Sequence, residues 1–255
     1  MVWLANNYNV ILAGIISSVI VLGLQIFVPP ISIIVYDTFT RRRPTKKVWG
    51  IASPKQIYIV SGSIGTMTSP TGLAFLAAPD AEAVAVITVS LRLLFPKAQL
   101  VHTYSPNFSP DMYGAHVISV GGPVNNTCTR TLMKATGVPA SFDHLDLITP
   151  NRRYELSPPT KDEPINTDYG LVISTANPFA SAARCIIIAG CDTHGVLAAA
   201  NALSPDRLQK HFRTAVARSQ RTFRFWKYYS YYAVVSAKAL ANTVGTLNIE
   251  EVNKL

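Results

Sequence analysis

Charged side chains make up only 15% of this 255-residue chain, and acids are the scarcer kind, 14 Asp and Glu against 23 Lys and Arg. The shortage is concentrated at one end. From Val10 to Val28, VILAGIISSVIVLGLQIFV, there is no charge, and Gln25 is the only strongly polar side chain. A helix of that length covers most of a hydrocarbon core about 30 Å thick, so one transmembrane helix is expected, ending near Pro29 and Pro30. The preceding MVWLANNYN lacks the basic start of a cleavable signal peptide.

Cysteine is scarce as well. Cys128, Cys185 and Cys191 are odd in number and show no CxxC spacing, which argues against a disulfide framework and a structural zinc site and fits a reducing compartment. Neither GxGxxG nor GxxxxGK[ST] occurs, so a standard dinucleotide or nucleoside-triphosphate loop is unsupported. No HExxH or comparable cluster is present, and no metal and no cofactor are expected.

What is abundant is basic charge beside the apolar run. Arg41, Arg42, Arg43, Lys46 and Lys47 all follow it and none precedes it, which places the N-terminus outside and the remainder in the cytoplasm of a single-pass cell-membrane protein. Residues 207–249 hold eight further Lys and Arg and no acid. In a tethered domain this stretch suits anionic lipid headgroups better than nucleic acid, and a merely solvated face explains it better than either. Gly14, Ser17, Ser18 and Gly23 would let neighbouring apolar helices approach, so a homo-oligomer is a corollary. Asn107-Phe-Ser and Asn125-Asn-Thr match the glycosylation pattern, which matters only if the domain faces a lumen.

The pattern divides the chain into an anchor at 1–37, a basic linker at 38–55 and an α/β domain at 56–255. QIYIVSG reads as a strand, Asp80 as the cap of a helix through AEAVAVITVSLRLLF, and QLVHTYS as a second strand. AHVISVGGPVNNTCTRTLMKATG repeats strand, glycine turn and helix, capped by Asn126 or Thr127. Short pieces LDLIT and RRYELS follow, then the strand GLVISTANPF, and then CIIIAGCDTHGVLAAANAL as strand, turn and helix. The aromatic end is read as a hairpin at the sheet edge. This alternation predicts a Rossmann-like three-layer domain with a mainly parallel sheet.

In such sheets ligands settle beyond the carboxyl ends of the strands. Two junctions qualify. VGGPVNNT offers Gly121, Gly122, Asn125, Asn126 and Thr127, and AGCDTHG offers Gly190, Thr193, His194 and Gly195, with glycines for close backbone approach and polar groups for hydrogen bonds. NPFA, at 177–180, could wall the same crevice, and Asp168-Tyr169-Gly170 reads as a crevice element or a turn. Cys191, Asp192 and His194 invite a nucleophile reading, in which a thiolate at a helix start is served by a His base. A small buried Cys beside a capping Asp explains the same residues without catalysis. His102 and His116, in or beside strands, are read as packed.

The ordered set GGPVNN, DYG, NPF and AGCDTHG resembles a group of prokaryotic membrane-anchored proteins that carry a Rossmann-like domain behind varied N-terminal modules and have no assigned reaction. The resemblance spans about residues 55–250; it implies the fold and no catalytic residue. A looser architectural similarity is to Rossmann-like domains that sense nucleotides in bacterial defence. The leading expectation is a membrane-tethered sensor of a phosphate-bearing small molecule, plausibly a nucleotide. The alternatives are a nucleotide-directed hydrolase or glycosyl-transferring enzyme using Cys191, Asp192 or His194, and a structural membrane protein that docks a partner.

Overall fold

The computed structural model describes residues 43–63, 76–156, 166–204, 210–220, 229–240 and 243–255. Residues 44–255 form one compact unit. Its described elements, in chain order, are α1 (Arg43–Trp49), β1 (Gln56–Ser61), α2 (Ala78–Leu94), β2 (Gln99–Tyr104), β3 (His116–Val120), α3 (Thr127–Thr136), β4 (Ser141–Asp143), β5 (Asp146–Ile148), β6 (Arg153–Tyr154), β7 (Asn166–Asn177), β8 (Ala180–Gly190), α4 (Thr193–Ala202), α5 (Lys210–Ser219), β9 (Tyr231–Leu240) and β10 (Thr243–Lys254).

Seven strands form one sheet in the order β10-β9-β7-β8-β3-β1-β2, and β4, β5 and β6 form a small antiparallel sheet. The strands β2, β1, β3 and β8 are parallel to one another, while β7 is antiparallel to β8 and to β9, and β10 is antiparallel to β9. The expected mainly parallel, Rossmann-like sheet is therefore corrected to a mixed one. The physical reason is connection length. A parallel pair needs a crossover of a dozen or more residues, whereas β7 and β8 are joined only by Pro178 and Phe179, which permits an antiparallel hairpin alone. The expected transmembrane helix falls on residues that the structure does not describe. No helix among the described residues is long and apolar enough to cross a membrane, and residues 10–28 lie outside them.

Alternation along the strands feeds a core on each face of the large sheet. Ile57 and Ile59 of β1, with Ile118 and Val120 of β3, pack under Ile87 and Leu91 of α2, Val196 and Ala199 of α4, and Phe212 of α5. On the other face Val60, Val117, Cys185 and Ile187 meet Cys128 and Leu132 of α3 and Leu147 and Tyr154 of the small sheet. The result is a three-layer stack around a mixed sheet.

The boundary expected at residue 56 lies too late. Seven of the eighteen residues of the supposed linker form α1, and Trp49 and Ile51 are fully buried in the helical-side core. The indole Nε1 of Trp49 donates to Leu203 O at 3.1 Å, and Ser174 Oγ donates to Trp49 O. Asp80 does not cap α2; Ala77 holds that position and Asp80 lies inside the first turn. In contrast, Asn126 does cap α3, its side chain accepting from Cys128 N and Thr129 N.

The small sheet is tied to the large one through Glu251 of β10. Its carboxylate accepts from Thr149 Oγ1 at 2.9 Å, Asn151 Nδ2 at 2.7 Å, Tyr154 OH at 3.0 Å and Tyr232 OH at 2.8 Å. Partial burial disfavours the Glu251 charge, but the donors Tyr232, Thr149, Asn151 and Tyr154 outweigh it and hold the carboxyl below the ordinary glutamate value. A depressed carboxyl stabilises the fold above its unfolded pKa and loses that contribution as pH falls through the folded one. Glu251→Ala should therefore cost about 1–3 kcal/mol in urea unfolding at neutral pH, with the deficit narrowing in acid. An equal deficit at every pH would show that the charge is not what binds the two sheets.

Candidate ligand-binding cleft

Because β7 and β8 are antiparallel, the start of one lies beside the end of the other, and Gly170 pairs with Gly190. Asp168-Tyr169-Gly170 is thereby brought to the AGCDTHG junction. NPFA sits at the opposite end of β8, where Asn177 Nδ2 donates to Tyr113 O and Ala115 O, so it walls no part of the cleft.

The side chain that organises this edge is Asp168, which is fully buried. Its Oδ1 accepts from Tyr169 N at 2.7 Å and Asp192 N at 3.2 Å, and its Oδ2 accepts from Gly195 N at 2.5 Å. The Asp192 and Gly195 donors belong to the otherwise unpaired amides at the start of α4, where a carboxylate is favoured by the helix dipole. Burial nevertheless dominates and pushes the Asp168 carboxyl up to about 6, with the three amides pulling the other way and Asp192 adding repulsion.

Two of the glycines read as ligand-facing serve packing. A Cβ on Gly195 would strike Tyr169 O and Asp168 Oδ1, and one on Gly190 would strike Val196 N and Asp192 O. Both allow α4 to lie directly on the hairpin. Gly121 is different, since its φ of +114° is a conformation that side-chain-bearing residues resist.

Beyond the ends of β1, β3 and β8 opens a cleft of about 140 Å³. Gly121, Gly122 and Asn125 line it from the first junction, and Gly190, Cys191, Asp192 and Thr193 from the second. Gly62 and Asp80 complete the floor, and the β4–β5 turn supplies Phe142, His144 and Leu145. The lips are apolar, with Val124 73% and Leu145 53% exposed. Pockets that bury a whole drug-sized molecule run from about 300 Å³, so this one holds a ring, a sugar or a phosphate.

Of the expected ligand contacts, Asn126, Thr127, His194 and Gly195 do not line the cleft. Asn126 is fully buried and holds the ends of β1 and β3 together, its Nδ2 donating to Val60 O at 3.1 Å and Val120 O at 2.9 Å. Thr127 is engaged with Ser105, its amide donating to Ser105 Oγ at 2.8 Å. His194 and Asp192 instead join Asp168 in a group whose ligand-type atoms all lie within 4.8 Å of one another. Asp80, which sequence reasoning took only for a cap, is a wall residue; its Oδ1 is buried without a partner.

The nucleophile reading of Cys191 fails on its surroundings. The residue is 5% exposed, and its Sγ faces Tyr154 O at 4.0 Å, in the core on the small-sheet side. Burial, reinforced by Asp168, pushes its thiol up to about 12, so no thiolate is available near neutrality. Comparison with family models and with curated proteins gives no match for the chain.

Two measurements follow from these environments. Burial first, then the charges of Asp192 and Asp168, raise the Asp80 carboxyl to about 6. A raised carboxyl stabilises the fold at low pH and loses that contribution as pH climbs from about 4 to about 6. Asp80→Asn should accordingly stabilise the chain by about 1–3 kcal/mol at pH 7 and flatten the pH dependence across that window. An unchanged slope would mean that Asp80 is not strained. All three cysteines are buried, so a thiol reagent at mildly alkaline pH should label none in the folded chain and all three after denaturation. Rapid labelling of one in the native state would reopen the thiol reading.

Proposed function

We propose that the α/β domain is a binding module for a phosphate-bearing small molecule of the nucleotide class, one part of it seated in the cleft beyond β1, β3 and β8 and the rest lying across the open lips. The observation that carries this reading is that both glycine junctions, 121–125 and 190–193, line one cleft. Their chemistry divides the ligand. The GGPVN turn offers backbone and the Asn125 amide with no carboxylate of its own, which suits phosphate oxygens. Asp80 and Asp192, on the other wall, repel phosphate and suit sugar hydroxyls, which donate to a carboxylate as a ribose does. Val124 and Leu145 at the lips supply apolar surface for a ring.

Binding rather than turnover is supported by the chemistry of the wall. The buried Cys191 thiol stays protonated, and His194 points its side chain into the Asp168–Asp192 group rather than toward a thiolate.

Thermal unfolding of the full chain in the presence of nucleoside mono-, di- and triphosphates, dinucleotides and the corresponding nucleosides tests the reading. A rise in midpoint of a few degrees is expected from at least one phosphate compound, reduced in Asn125→Ala and Thr193→Ala. These side chains are exposed and half-buried respectively, so neither change should unfold the chain. Equal shifts with nucleosides lacking phosphate, or none with any compound, would overturn the proposal.

A further inference from the structure

A second occupant of this edge is suggested by side chains that the nucleotide reading does not use. Asp168 from the start of β7 and Asp192 and His194 from the start of α4 bring two carboxylates and an imidazole together, their ligand-type atoms within 4.8 Å of one another. Oxygen and nitrogen ligands lie about 2.0–2.6 Å from a divalent ion, so two ligands of one ion are separated by at most about 4–5 Å. The group is thus compact enough to share one ion.

Proximity of acids is not by itself a site, but two buried polar atoms of the side chains at this edge lack partners. Asp80, nine-tenths buried, lines the cleft with its Oδ1 lacking any partner, and it lies close enough for the charges of Asp192 and Asp168 to act on it. His194 Nε2 is likewise buried without a partner. Buried polar atoms are rarely left unmatched, and a missing ion is one of the recognised reasons. Charge points the same way, since Asp80 and Asp192 line the cleft and no Lys or Arg is among its described lining residues. The positive end of α4, which would oppose a cation, is already answered by the Asp168 carboxylate through the Asp192 and Gly195 amides, and Oδ2, which accepts from Gly195 N alone, retains a further lone pair.

We propose that Asp168, Asp192 and His194 form a binding site for one divalent cation, with the unpartnered Asp80 oxygen facing the ion's water shell from the cleft wall. The mixed oxygen and nitrogen set favours Mn²⁺ or Zn²⁺ over an oxygen-only ion such as Ca²⁺. The site stands on these side chains alone and does not require the nucleotide reading. If both hold, the ion lies where it offsets the two wall carboxylates against a phosphate-bearing ligand.

Mn²⁺ titrated into the full chain without nucleotide, followed by electron paramagnetic resonance, decides the matter. The expected result is one Mn²⁺ per chain at sub-millimolar concentration, weakened at least about tenfold in Asp192→Asn, whose side chain is exposed and dispensable for packing. The bound ion should show a coupling to a ring nitrogen that disappears in His194→Gln. Asp111→Asn, on a remote exposed turn, should change neither. Absence of Mn²⁺ binding at millimolar concentration, equal affinity in Asp192→Asn, or no nitrogen coupling would each overturn the site. None of these outcomes bears on whether nucleotides shift the unfolding midpoint.

Discussion

The interaction on which this domain turns is a carboxylate buried at the end of a helix. Asp168 sits at zero exposure and spends both oxygens on backbone amides of the neighbouring turn and of the first turn of α4. One residue thereby fixes three things together: the register of β7 beside β8, the seat of α4 on that hairpin, and the direction in which Asp192 and His194 leave the helix start. The absence of a Cβ at Gly170, Gly190 and Gly195 is the steric half of the same arrangement, since a methyl at any of them would strike backbone across the junction.

That geometry is held against an electrostatic cost. Burial pushes both Asp80 and Asp168 up to about 6, and Asp192 repels each. Structural carboxylates elsewhere in the molecule behave differently, as Glu251 does when its hydrogen-bond donors hold it low. Proteins tend to retain strained, partly unsatisfied groups where a ligand relieves them. The contrast between these two acidic sites within one chain is the strongest physical reason to look for function at the α4 edge rather than at the small sheet.

Much of the strand and helix order was legible in the sequence, because apolar alternation and glycine turns mark it directly. β1, β2 and β3 fall on QIYIVS, QLVHTY and HVISV, and Asn126 caps α3 as a residue of its type should. The sheet's mixed character was also written there and overlooked. Only five residues separate GLVISTANPF from CIIIAG, which leaves no room for a crossover. Trp49 was passed over because basic neighbours on either side made it resemble linker, while only the folded core reveals its indole donating to Leu203 O.

The cleft was half legible. Glycine pairs followed by helix starts announce two junctions, but whether a glycine faces ligand or backbone depends on what packs across from it, which no local pattern contains. Gly195 is of the second kind, and Gly190 lines the cleft while also packing against backbone. The acids were harder still: Asp168 and Asp192 lie in different segments, joined by the antiparallel hairpin, and Asp80 lies in a third, brought to them by the packing of α2 on α4.

The same mixed sheet divides the domain by the entropy of its assembly. Pairing Asn177 with Ala180 closes a loop of minimal length, as does pairing Leu240 with Thr243, whereas joining Val117 to Cys185 or Ile57 to His116 must draw together distant parts of the polymer. The antiparallel half is locally encoded; the parallel half is recruited onto it. The cleft opens where the two halves meet, its walls drawn from the chain after β1 and β3 on one side and after β8 on the other.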